Sequence, residues 1–238
     1  MRLAVLGDFH GHTKVPAFRQ FLAEARPDAV LQVGDCQYYE AMPVPFYFIH
    51  GNHEHWPTIN ALRTGTLAPR NLHYLPDATP LVLGGVTILG LGGIPRGDST
   101  KDSPKFFNVA AYERMAGMHA DIVLTHDTPI NYTTGRADPA LTAQEYRLLA
   151  EIMAPRLWFS GHHHHFEAER LGPTTIVSLG KWPHQWAVVD IADTPDTNGG
   201  REMRWSRWAP IDRNSYDLRL PGWAAAEREL KRTINREA

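Results

Sequence analysis

Residues 3–10, Leu3-Ala4-Val5-Leu6-Gly7-Asp8-Phe9-His10, decide the fold. An apolar run of strand length that stops at a glycine and an aspartate reads as a buried first strand with its polar residues gathered at the end. The same punctuation recurs outward from it. Val15, Phe18, Phe21 and Leu22 fall at helical spacing over Val15 to Ala25, and Arg26-Pro27 stops that helix. Ala29 to Val33 reads as a second buried strand ending in Gly34-Asp35, and Phe46 to Ile49 as a third ending in His50-Gly51-Asn52-His53-Glu54. A strand–helix–strand opening with polar residues at each strand's end predicts an α/β sheet with its site at the carboxyl edge.

Further strands are expected over Leu72 to Leu75, Leu81 to Leu83, Val86 to Leu91, Ile122 to Leu124, Leu157 to Phe159, Thr174 to Ser178, Trp186 to Ile191 and Glu202 to Trp208. Gly84-Gly85 marks a hairpin turn, Ile94 to Pro104 a surface loop, and Asp193 to Arg201 a turn-rich connection. Helices are expected over Ala110 to Met118 and over Leu141 to Met153, the latter with Leu141, Glu145, Leu148, Leu149 and Ile152 on one face. The chain therefore reads as one domain over residues 1–208 and an appendage over 209–238 that ends in a helix from Trp223 to Arg236.

Composition narrows the class. With hydrophobic residues at 43% and charged ones at 21%, the balance is that of a globular protein, and no apolar run is long enough to suggest a membrane helix. The start of the chain reads as a core strand and not as an export signal. A single cysteine, Cys36, excludes an internal disulfide framework and suits a reducing cytoplasm. A net charge of −2 supplies no overall basic field for nucleic acid, although a local patch stays open. The oligomeric state stays open too.

The chemistry sits in five segments, each placed straight after an expected strand: Asp8-Phe9-His10, Gly34-Asp35, Gly51-Asn52-His53-Glu54, His126 and Gly161-His162-His163-His164. In an extended segment side chains two residues apart point the same way, so Asp8 with His10, and His162 with His164, are expected to share a metal-facing side. Carboxylate, imidazole and amide oxygen suit Mn²⁺, Fe²⁺ or Zn²⁺, and the absence of cysteine ligands argues against a structural zinc site. His163 and His165 read as surface residues, and His12, His50 and His55 as loop or packing residues flanking the motifs. Trp182, Trp186, Trp205 and Trp208 read as core or tail packing and not as base-stacking platforms.

The order of these segments resembles the calcineurin-like metallophosphoesterase superfamily, whose pattern runs Asp-x-His, Gly-Asp, Gly-Asn-His-Asp/Glu, a lone His and Gly-His-x-His. The resemblance spans Asp8 to His164 and is silent on the tail. It implies a four-layer α/β/β/α sandwich with two central mixed sheets and a centre of two divalent ions, Mn²⁺ foremost, with Fe²⁺ or Zn²⁺ as alternatives. Carried onto this chain, it implies that Asp8, His10, Asp35 and His164 hold one ion, and that Asp35, Asn52, His126 and His162 hold the other. It implies a metal-bridging hydroxide as nucleophile, with the ions about 3.5–4 Å apart. His53 would stabilise the phosphoryl oxygens or protonate the leaving group.

The second block narrows the substrate. Serine/threonine protein phosphatases of this superfamily carry Gly-Asp-x-x-Asp-Arg-Gly there, whereas this chain has Gly34-Asp35-Cys36-Gln37-Tyr38-Tyr39-Glu40. The Gly-Asp-x-Gln form, the Gly-Asn-His-Glu block and Gly92-Gly93-Ile94 are similar to RNA lariat debranching enzymes, which typically have Cys where this chain has Asp8. The expected activity is phosphodiester hydrolysis on nucleotide or nucleic-acid substrates. A phosphomonoesterase using the same site is the alternative, and a non-catalytic scaffold is a third reading. Arg96, Lys101, Lys105 and Arg136 are candidate phosphate contacts, weighed against solvated loop charge.

Overall fold

The computed structural model describes residues 1–11, 15–96, 103–130, 139–196 and 200–208. In chain order the elements are β1 (Arg2–Leu6), α1 (Val15–Ala25), β2 (Ala29–Gln32), β3 (Phe46–Phe48), α2 (Trp56–Arg63), β4 (Leu72–Tyr74), β5 (Leu81–Leu83), β6 (Val86–Leu91), α3 (Val109–Met115), β7 (Ile122–Thr125), α4 (Pro139–Met153), β8 (Leu157–Ser160), β9 (Glu167–Leu171), β10 (Thr174–Ser178), β11 (Trp186–Pro195) and β12 (Arg201–Trp208). They form two six-stranded mixed sheets, ordered β12-β11-β1-β2-β3-β4 and β5-β6-β7-β8-β10-β9. In the first, β1 to β4 run parallel and β11 lies antiparallel against β1. In the second, β6, β7, β8 and β10 run parallel, with β5 and β9 antiparallel at the edges.

Three apolar clusters separate four layers. Leu3, Val5 and Leu31 of the first sheet meet Ile88, Leu124 and Phe159 of the second between the sheets. Phe18 and Phe21 of α1 and Ile59 of α2 cover the outer face of the first sheet. Ala111 and Met115 of α3, with Tyr146 and Leu149 of α4, cover the second. Strands buried on both faces need continuous apolar runs, which is why β1, β2, β7 and β8 lack polar alternation. The result is the expected α/β/β/α sandwich. Trp182 and Trp186 are buried within it, and Trp182 stacks on Phe9 at 6.3 Å and meets Phe21 edge-on at 4.8 Å.

Some elements depart from the sequence reading. The short helix α2 packs Trp56, Ile59 and Leu62 against the core, but it is only two turns long and has no side-chain cap at His55 to announce it. Strand β9, Glu-Ala-Glu-Arg-Leu, is charged because it is an edge strand half open to solvent. On α4 the buried face is Tyr146, Leu149, Ala150 and Met153, while Leu148 and Ile152 are exposed. Tyr146 packs against Trp158 at 6.3 Å, and seating that large ring turns the helix away from the face expected around Leu148 and Ile152. The expected appendage over 209–238 and its helix lie outside the described residues.

Candidate metal centre

The carboxyl ends of β1, β2, β3, β7 and β8 meet where the two sheets abut, and backbone hydrogen bonds stitch the loops that follow them. The amides of Phe9 and His10 donate to the carbonyl of Asp35, at 3.2 and 2.9 Å, and that of Gly11 donates to Cys36 at 3.0 Å. The amide of Gly161 donates to the carbonyl of His126 at 2.9 Å. Trp158 Nε1 donates to Thr125 Oγ1 at 2.8 Å, and that hydroxyl donates to the carbonyl of Asp127 at 2.6 Å, fixing the turn that carries His126.

Strand alternation does not bring the paired ligands together. The strands have already ended at Leu6 and Ser160, and His10, His162 and His164 sit at φ of 50°, 65° and 56°. Asp35 and Gln37 are left-handed as well, at 55° and 52°. Residues with side chains rarely adopt this region, at a cost of about 1 kcal/mol or more each, and such strain gathers where a site is assembled. The tight turns aim both side chains and amides inward. The His162 amide donates to Asp8 Oδ1 at 3.0 Å, and the His53 amide donates to Asp35 Oδ1 at 2.8 Å.

Six of the seven expected ligands converge around the two buried carboxylates. His164 Nε2 lies 2.6 Å from Asp8 Oδ2, and His10 Nε2 lies 3.8 Å from the same oxygen. Asp35 reaches both ways: Oδ2 is 3.9 Å from His10 Nε2 and Oδ1 is 3.6 Å from His126 Nε2. Asn52 Oδ1 is 2.9 Å from His126 Nε2. His162 takes a position between two groups. Its ring lies 5.1 Å from that of His126, yet its ligand atom also falls within 4.8 Å of those of Asp127 and His163.

The donor chemistry fits divalent cations. His126 Nδ1 lies 2.9 Å from the carbonyl of Val33, which can only accept, so Nε2 keeps its lone pair and aims it at Asn52 Oδ1, another acceptor. His10 Nδ1 faces Gln37 Oε1 at 3.4 Å, again leaving Nε2 with the lone pair. Asp8 Oδ2 is buried without an aligned hydrogen-bond donor among the described residues, the His164 nitrogen being close but off the bonding direction. Facing lone pairs around an orphaned carboxylate oxygen are costly alone and are relieved by a cation.

Electrostatics keep these groups in ligand form. Burial opposes ionisation of Asp8, but the close approach of His164 and the hydrogen bond from the His162 amide hold its carboxyl at about 2. Burial lowers His10 and His162 below the usual imidazole value, against the pull of nearby carboxylates, so both favour the neutral, metal-binding form.

Two supporting residues carry no role in the sequence reading. Glu54 is buried and accepts from the amides of Cys36 at 3.0 Å, Gly51 at 3.2 Å and Gln37 at 3.3 Å, and from the Tyr39 hydroxyl. It thereby locks the second block to the third. Gln37 donates to the carbonyl of His53, so Gln37 and Asp35 together pin the His53 backbone and leave its side chain exposed at the lip. Both residues stand inside the motifs Gly-Asp-x-Gln and Gly-Asn-His-Glu, which is the signal that marks them. Cys36, between these groups, has its thiol pushed well up by burial and is not a ligand.

Among the other candidates, His163 is tied to the buried Asp127 at 2.8 Å and is therefore not a loose surface histidine. Arg96 and Lys105 lie over the Phe106 ring at 5.7 and 5.0 Å. His12, Lys101 and Arg136 lie outside the described residues, as does the side chain of Trp208. Among the described residues no helix is long and apolar enough to cross a membrane.

Comparison with known proteins places this arrangement. The model of the calcineurin-like phosphoesterase family matches residues 1–166, and the chain belongs to that family. It is 27% identical over 197 residues to a lariat debranching enzyme of Entamoeba histolytica, covering 68% of this chain and 55% of that protein. It is 30% identical over 159 residues to a lariat debranching enzyme of Arabidopsis thaliana, covering 52% of this chain and 38% of that one. The chain thus spans about half or less of these curated relatives. Among solved structures, the protein TT1561 of Thermus thermophilus superposes with a TM-score of 0.57 at 14% identity, covering 86% of this chain and 97% of that one, a likeness of fold. The family is metal-dependent, in keeping with the His and Asp groups described above.

Proposed function

We propose that this protein is a phosphodiesterase that hydrolyses nucleotide-type phosphodiesters with two divalent ions, Mn²⁺ foremost. The observation that carries the reading is Asp35, whose two carboxylate oxygens face separate imidazoles, His10 and His126. That is the disposition of a carboxylate shared by two cations. Asp8, His10 and His164 complete one ligand set, and Asn52, His126 and His162 the other. Bound there, the cations supply positive charge for the phosphoryl group and an activated water.

The chain's own residues do the rest. Asp8, Asp35 and His126, all buried, fix the floor, while His53 stands exposed at the rim on a pinned backbone. From there its imidazole contacts phosphoryl oxygens or delivers a proton to the leaving oxygen. Preference for diesters is supported by the second block. The positions that carry an extra Asp and Arg in protein phosphatases are here Tyr38 and Tyr39, and Tyr39 is committed to Glu54.

With Mn²⁺, the purified protein is expected to hydrolyse bis(p-nitrophenyl) phosphate faster than p-nitrophenyl phosphate, and Asn52→Ala and His53→Ala to remove nearly all of that turnover. Undiminished activity in both variants sinks the site, and a preference for the monoester transfers the assignment to a phosphomonoesterase.

A further inference from the structure

A second cavity opens at the same edge of the sandwich, one strand out from the metal ligands. Its volume is about 540 Å³, within the range of cavities that enclose small ligands, and it is bounded by His50, Trp56, Arg63, Tyr74, Asp77, Arg96 and Phe106 among others. The topology sets its place. Tyr74 and Asp77 lie at and beyond the carboxyl end of β4, and Arg96 beyond that of β6. Those strands are the outer neighbours of β3 and β7, whose ends lead to Asn52 and His126. Adjacent strands lie about 5 Å apart, so the cavity begins about that far along the edge from the proposed reaction centre. His50, its inner wall, is two residues from Asn52.

Its chemistry is dual. Trp56 and Tyr74 are set around His50, with ring centres 5.8 and 6.1 Å from the imidazole, and the Tyr74 hydroxyl bonds His50 Nδ1 at 2.9 Å. Phe106 adds a third aromatic wall, with Arg96 over its face at 5.7 Å. Arg63, at the end of α2, is exposed, and among the described residues no carboxylate lies within ion-pair distance of it. Among the described residues lining the cavity the one carboxylate is Asp77, which accepts instead from the Gly92 amide at 2.9 Å. Aromatic faces bind the flat face of a base, and a guanidinium with no carboxylate partner is suited to a phosphate.

We propose that this cavity is a nucleotide-flank subsite, which holds the base of the nucleotide next to the scissile diester between its aromatic walls and that nucleotide's further phosphate on Arg63. The inference rests on the phosphodiesterase reading for its biological use, but the pocket can be probed without catalysis.

The first measurement is equilibrium dialysis of chelator-treated protein with AMP, adenosine and ribose 5-phosphate. AMP is expected to bind, and adenosine and ribose 5-phosphate each about tenfold or more weakly by comparison, since each lacks one half of the recognition. Arg63→Gln is expected to weaken AMP by about tenfold, and Trp56→Leu to erase the advantage of AMP over ribose 5-phosphate. No AMP binding, equal binding of ribose 5-phosphate, or an unchanged affinity in Arg63→Gln overturns the subsite.

The second measurement is the kcat/KM ratio of the Mn²⁺-loaded protein for ApApA over bis(p-nitrophenyl) phosphate, which is expected to fall about tenfold in Arg63→Gln. Wild-type protein that binds AMP but hydrolyses neither diester sinks the phosphodiesterase reading and leaves the pocket standing. Hydrolysis of both with an unchanged ratio in the variant sinks the pocket and leaves the reading standing.

Discussion

His10 and His164 face each other Nε2 to Nε2 at 3.3 Å, although they are 154 residues apart in sequence. The Nδ1 of His10 is turned to Gln37, so its Nε2 lone pair points at a second imidazole and at the orphaned oxygen of Asp8. The Nε2-protonated tautomer of His164 can satisfy one of these contacts, but a cation satisfies both imidazoles and the Asp8 oxygen at once. Stability is therefore expected to follow divalent metal. Chelator should lower the melting temperature, and free Mn²⁺ at 100 times its dissociation constant should restore about 2.7 kcal/mol. His164→Ala should bind about one ion per chain where wild type binds two. Melting curves insensitive to both chelator and Mn²⁺, or full metal content in the variant, would count against the centre.

Glu54 is expected to matter as much as a ligand without being one. It satisfies three backbone amides and the Tyr39 hydroxyl from a buried position, with burial pushing its carboxyl up and those donors pulling it down. Glu54→Ala strands buried amides and should cost about 3 kcal/mol or more in chemical denaturation. Tyr39→Phe, which removes one donor, should cost about 1 kcal/mol. Because Gln37 also pins His53, the first variant should lose turnover while retaining metal, which a metal assay beside the kinetics can establish.

Asp77 yields a pH signature opposite to that of a salt-bridged carboxylate. Burial raises its carboxyl from 3.8 to about 6, and the Gly92 amide and the charges of Arg63 and Arg114 offset this only in part. His50 and Tyr74 are its other polar neighbours in the cavity. A raised acid contributes stability that is complete below the unfolded value and is lost as pH climbs through the folded one. Asp77→Asn keeps the acceptor for Gly92 but cannot ionise. Its stability relative to wild type should therefore climb between about pH 4 and pH 6, by up to about 3 kcal/mol. A flat difference across that window would show that Asp77 is solvated well enough to ionise freely.

The parts of the fold and site that were legible in sequence share a physical reason. Strands β1, β2, β7 and β8 are mainly apolar because both faces are covered, and Asp8, Asp35, His126 and His162 follow shortly after their ends, where the cover stops. What was not legible depends on partners distant along the chain. The bond between His163 and Asp127 joins positions 36 residues apart, and the cavity brings α2 against the connection after β6. The turn conformations of His10, His162 and His164 were hidden for another reason. Left-handed backbone is uncommon for any residue with a side chain, and histidine, though it visits that region more often than most, gives no sign of which copies will do so. On α4 the spacing of Leu148 and Ile152 mimics burial, while the larger Tyr146 takes the core.

Gly161 explains why the last ligand block begins with glycine. A Cβ at that position would run into Asp8 Oδ1 and would meet Val33 Cγ2 at 3.0 Å. That same Asp8 oxygen accepts the His162 amide, so the side chain has no slack in which to retreat. Gly161→Ala is therefore expected to displace Asp8, a proposed metal ligand, with a stability cost of about 1–3 kcal/mol from overpacking. Turnover on bis(p-nitrophenyl) phosphate should fall by about 100-fold or more, as for loss of precise positioning at a reacting centre. Gly117→Ala provides the contrast, because a Cβ there meets only the Arg114 carbonyl at an ordinary 3.7 Å, and its stability should stay within about 0.5 kcal/mol of wild type. Equal behaviour of the two alanine variants, in melting and in turnover, would mean that the approach of Asp8 to Gly161 does not govern the site.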